Sequence, residues 1–140
     1  MNNSLLLMMF LSCSVLGLAS CKKSNGAHAP RIVRLEIGEG DRGKVMAGAD
    51  LHFEADIEAG NRLDVVEIMI RQRVNGTYAQ EWSYRMVLET HRGARNAHLH
   101  EHADIPAAAA PGVYDFVVVA SDQNGTHAEA RRDLTIQASE

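Results

Sequence analysis

Apolar residues in this chain recur at every second position, over runs too short and too evenly spaced for a helix that could cover a sheet. Leu51, Phe53, Ala55 and Ile57 alternate with His52, Glu54 and Asp56. Successive side chains of an extended strand point to opposite faces, so this run has one apolar and one polar face. Val66, Ile68, Ile70, Gln72 and Val74 repeat the pattern, as do Tyr114, Phe116, Val118 and Ala120 and the stretch 128–136. An irregular first strand spans 32–37, followed by the turn-rich Gly38-Glu39-Gly40-Asp41-Arg42-Gly43. After the Asn75-Gly76 turn, Tyr78, Trp82, Tyr84 and Met86 read as a strand, with a short helix over 84–90 as the alternative. Trp82 is expected as a core or strand-surface aromatic. The stretch 97–102 is extended, and 107–112 is a connecting turn. Asp122-Gln123-Asn124-Gly125 signals a hairpin, with positive φ expected at both Asn124 and Gly125 and Asp122 expected to cap backbone N–H groups. The sum is an all-β chain, an immunoglobulin or fibronectin III-like antiparallel β-sandwich of about seven strands, with Tyr114 at the position of a tyrosine corner.

The first twenty residues are of another kind. An apolar run over 5–18, interrupted by Ser12-Cys13-Ser14, is shorter than the roughly 20 apolar residues of a membrane span and ends in Leu18-Ala19-Ser20-Cys21. Residues 1–20 are therefore expected to be a lipoprotein signal peptide, although Met1-Asn2-Asn3-Ser4 lacks the usual basic side chain. Cys21 would carry the lipid, 21–30 would form a flexible tether, and 31–140 the domain. Processing would remove Cys13 and leave the domain without a disulfide. The expected location is the cell envelope, lipid-anchored on the periplasmic or surface face of the outer membrane. A net charge of −4, with no Lys/Arg run longer than a pair, excludes nucleic acid as an expected partner.

Three of the seven histidines fall in His98-Leu99-His100-Glu101-His102-Ala103-Asp104. Residues two apart on a strand share a face, so His98, His100 and His102 project together, about 6–7 Å from one to the next. In a seven-strand sandwich the strand carrying His52, Glu54 and Asp56 is second and the histidine strand fifth, antiparallel neighbours in one sheet. Imidazoles beside the carboxylates of Glu54, Asp56 and Asp104 suit zinc or copper better than calcium. The plainer reading is that any half-exposed sheet alternates polar residues, and clustered imidazoles can equally contact a partner. His28, His91 and His127 earn no role.

The segments Asp50 to Ile57, His98-Leu99-His100-Glu101-His102-Ala103-Asp104-Ile105-Pro106, Gly112-Val113-Tyr114-Asp115-Phe116 and Asp122-Gln123-Asn124-Gly125 resemble the DUF4625 family of Bacteroidetes lipoproteins. The resemblance spans about 33–136; it departs at Asp115, where the family often has His. It implies an envelope lipoprotein with a sandwich domain and leaves the biochemical role open. Two functions are expected from different classes. The first is non-catalytic binding of a transition metal, zinc or copper, by His98, His100, His102, His52, Glu54, Asp56 and Asp104, serving sequestration, delivery to a transporter, or stability. The second is an accessory module that binds an envelope protein or glycan without metal. Metal-assisted hydrolysis, which needs an open ligand position beside a pocket, is the third and weakest expectation.

Overall fold

The computed structural model describes residues 28–139, so the expected signal peptide and Cys21 lie outside the described residues. Eight strands follow in chain order: β1 (Arg31–Ile37), β2 (Lys44–Met46), β3 (Asp50–Glu58), β4 (Leu63–Gln72), β5 (Ser83–Leu88), β6 (Asn96–Asp104), β7 (Gly112–Asp122) and β8 (His127–Gln137). They make two layers, a three-stranded sheet β1-β3-β6 and a five-stranded sheet β2-β8-β7-β4-β5. The chain is thus an all-β sandwich.

The alternation read from the sequence sets the layers. Leu51, Phe53, Ala55 and Ile57 of β3 and Leu99 of β6 meet Val66, Ile68, Ile70, Phe116, Val118 and Leu134 of the opposing sheet in one buried cluster. Phe53 and Phe116 touch across the layers edge to face, ring centres 5.0 Å apart, a contact worth about 0.5–1.5 kcal/mol beyond the area it buries. The Tyr114 hydroxyl donates to the Ala110 carbonyl at 2.7 Å. That bond runs back to backbone a few residues upstream, the tie expected of a tyrosine corner.

Three local expectations are corrected. About seven strands are expected and eight occur among the described residues; the extra one, β2, has only three residues and is too short to show alternation. The aromatic segment begins its strand at Ser83, so Tyr78 and Trp82 precede it, and 83–88 is strand where a helix had been the alternative. Trp82 packs against the core as expected, edge-on to Tyr114 with ring centres 5.7 Å apart. In the β7–β8 hairpin only Gly125 takes positive φ, at 81°. Its N–H donates to the Asp122 carbonyl, and Asp122 N–H to Thr126, the closure of a longer loop with glycine after the turn. Asp122 does cap: its carboxylate accepts from the Asn124 and Thr126 N–H groups and from the Thr126 hydroxyl.

Between β1 and β2 the chain crosses from one sheet to the other through a short 3-10 turn at Glu39–Asp41. Gly43 sits there at φ 61°, where a Cβ would lie 2.7 Å from the Asp133 carbonyl oxygen. Beyond it β2 runs parallel to β8, Lys44 opposite Thr135 and Met46 opposite Gln137.

Candidate metal centre

β3 and β6 are antiparallel neighbours in a register that sets Asp50 opposite Asp104, His52 opposite His102, Glu54 opposite His100 and Asp56 opposite His98. Leu51, Phe53, Ala55, Leu99 and Ala103 between them are buried in the core, so these eight lie together on the outer face. β1 extends the rows, with Glu36 opposite Glu54 and Arg34 opposite Asp56. Five carboxylates and one guanidinium occupy these rows, a local excess of negative charge that attracts cations.

Within this face three imidazoles converge. The His52 ring centre lies 4.6 Å from that of His100 and 5.2 Å from that of His102, and the last two are 5.8 Å apart. Each offers one nitrogen such that all three lie within 4.8 Å of one another. Zinc at about 2.0–2.1 Å from its ligands needs nitrogens about 3.3 Å apart. Closing to that distance takes ring rotation, which His100 and His102 can make because more than half of each side chain is exposed.

Carboxylates stand beside both exposed rings. His102 Nδ1 contacts the Asp50 carboxylate, and His100 Nδ1 lies 3.3 Å from Glu54 Oε1. The Asp50 carboxylate at one His102 nitrogen fixes that tautomer and leaves the other nitrogen for a metal. His52 differs. Its Nε2 is shielded from solvent and has no hydrogen-bond partner among the described residues; Glu54 Oε1, at 3.6 Å, is beyond bonding range. A buried polar atom without a partner costs free energy, and a cation between the rings would satisfy it. The donor set of three imidazoles fits zinc or copper.

The remaining predicted residues stand apart from this group. His98 Nδ1 is 2.6 Å from Asp56 Oδ1. The hydrogen bond from His98 is the main reason the Asp56 carboxyl is held below the usual range, with His98 and Arg34 charges adding to it against the opposing effect of desolvation. Asp104, two residues beyond the His52–His102 pair and opposite Asp50, also lies outside the triad. His28 and His127 are exposed, and His91 lies in a turn. Asp50 and Arg34 were not among the sequence candidates. The polar stripe that holds His52 extends back to Asp50 and could have marked it; nothing in the irregular first strand marked Arg34.

A concavity of about 510 Å³, lined by Gln72, Glu81, Trp82 and Ser83, lies elsewhere on the sandwich. No helix among the described residues is long and apolar enough to cross a membrane.

The family model of DUF4625, a domain of unknown function, matches residues 19–137. No curated protein matches the sequence. Among solved structures the chain is similar to the sporulation control protein Spo0M of Bacillus subtilis, with 11% identity and a TM-score of 0.51, over 80% of this chain and 51% of that one. This chain therefore spans about half the length of Spo0M, and the likeness concerns the fold. The soluble domain of PmoD from a Methylocystis species matches at 12% identity and TM-score 0.45, over 74% of this chain and 90% of that one. A CARDB domain from Pyrococcus furiosus, in complex with di-metal ions, matches at 14% identity and TM-score 0.39, over 79% and 90%.

Proposed function

We propose that this chain, which belongs to the DUF4625 family, is a lipid-anchored domain of the cell envelope that binds a transition metal, zinc or copper, at His52, His100 and His102 without catalysing a reaction. The observation that carries the metal site is the shielded, unpartnered His52 Nε2 beside two imidazoles, the three rings each offering a nitrogen within 4.8 Å of the others. The location of the three rings on the outer face of a sheet supports binding over catalysis. Leu18-Ala19-Ser20-Cys21 supports the anchor. Strand orders β1-β3-β6 and β2-β8-β7-β4-β5 support the finer assignment to the immunoglobulin or fibronectin III-like sandwiches.

A second reading, an accessory module for an envelope protein or glycan, is favoured by the Trp82 concavity and by the half-exposed Val87 and Val113 of the five-stranded sheet. Elemental analysis separates the two. The full chain in mild detergent, exposed to zinc or copper and exhaustively exchanged, is expected to retain one equivalent. His52→Ala, His100→Ala and His102→Ala each lose it, and His98→Ala keeps it. Absence of retained metal in the parent chain removes the metal reading and leaves the accessory module.

A further inference from the structure

We infer that Glu54 is the fourth ligand of this centre and that Arg34 is the residue that positions it, which makes the site a three-histidine, one-carboxylate shell for a borderline divalent cation such as Zn(II) or Co(II). The inference rests on the metal reading above and goes beyond the three imidazoles. Glu54 projects from β3 between the histidine pair. Its Oε1 is 3.6 Å from His52 Nε2 and 3.3 Å from His100 Nδ1. Those separations are close to the edge of a ligand tetrahedron about a cation bonded at about 2.0–2.2 Å to nitrogen and oxygen. The distance that is too long for a hydrogen bond is thus the distance two ligands keep across one ion.

The other oxygen is already held. Glu54 Oε2 lies 3.1 Å from Arg34 Nη2, reaching over from β1, and the same guanidinium nitrogen holds Glu36 at 2.9 Å. Glu54 is only about one-fifth exposed, so its carboxylate is confined between the guanidinium on one side and the imidazoles on the other. A carboxylate gripped at one oxygen presents the second in a fixed direction, and outer partners of this kind are what orient ligands at metal centres. His102 completes the set by rotating inward from its Asp50 partner. A hard oxygen donor beside three imidazoles favours Zn(II) and Co(II) over Cu(I), which prefers sulfur ligands. The carboxylate also fills the position that a catalytic zinc keeps open for water.

Co(II) titration of the full chain in detergent, followed by visible absorption, tests this. The parent chain is expected to bind one Co(II) with the intense bands of four-coordinate cobalt. Glu54→Gln should weaken binding by more than the roughly 10–100-fold that loss of an outer partner costs, and should also change the spectrum. Arg34→Met should weaken binding about 10-fold with the bands unchanged, and Arg34→Lys should restore most of it. Unchanged bands and affinity in Glu54→Gln, with binding still abolished by His52→Ala, would overturn the fourth ligand and leave the triad standing. Binding that survives both substitutions overturns the triad as well. An Arg34→Met variant that binds as the parent does overturns the positioning role.

Discussion

Asp122 shows what a single side chain contributes in this fold. Burial works against its charge, but the Thr126 hydroxyl and the N–H groups of Thr126, Asn124 and Gly125 outweigh it and hold its carboxyl below the usual range. A depressed carboxyl contributes stability that is present above the unfolded value, about 3.9, and is lost as pH falls through the folded value. Asp122→Asn is therefore expected to lower the melting temperature at pH 7 by about 5 °C, and to narrow its difference from the parent on acidification toward about pH 3. Thermal melts across that range check it, and a constant gap would contradict the ionised cap. Asp122 and Tyr114 were both legible in the sequence, because each acts on backbone within a few residues of itself. The central feature of the metal site was not. The unpartnered His52 Nε2 depends on where Glu54 and the two neighbouring rings stand across a strand pair, to within an ångström, and no spacing along the chain encodes that.

At the scale of strands, alternation marked β3, β4, β7 and β8, since burying one face of a strand fixes which residues face in and which face out. It also placed the polar stripes of β3 and β6 on one surface, while leaving the choice among His98, His100 and His102 to the register. Register and twist bring His52 nearest to His100 and His102, and His98 turns to Asp56. β2 escaped detection because three residues carry no period, and its course depends on the crossover before it. Gly43 makes that crossover: φ 61° is strained for any other residue, and the Asp133 carbonyl leaves no room for a Cβ. Gly43→Ala should cost about 2–4 kcal/mol. Gly93 has φ 83° with nothing near its missing Cβ, so Gly93→Ala should cost only the backbone share, about 1–2 kcal/mol. Denaturant titration of both variants gives the comparison, and equal losses would mean that the close approach to β8 carries no weight.

Over the whole molecule, the two sheets are joined by the core and by the strands near the two ends of the domain. β1 belongs to one layer and β2 to the other, and β2 lies parallel to β8, flanked by bonds from Thr135 N–H to Gly43 O and from Ala47 N–H to Gln137 O. Opposed pulls on residues 31 and 137 would draw β2 and β8 in opposite directions along one axis, loading their hydrogen bonds side by side rather than one after another. Such a ladder yields all at once, as a clamp does, where an antiparallel hairpin pulled from its open end unzips. Force spectroscopy between those residues should record a single rupture peak, lowered by Gly43→Ala, and a smooth low-force extension would show that the ladder bears no load. The short parallel strand that alternation could not reveal is then the mechanical latch of the domain, the ladder that takes up tension passed on through β1.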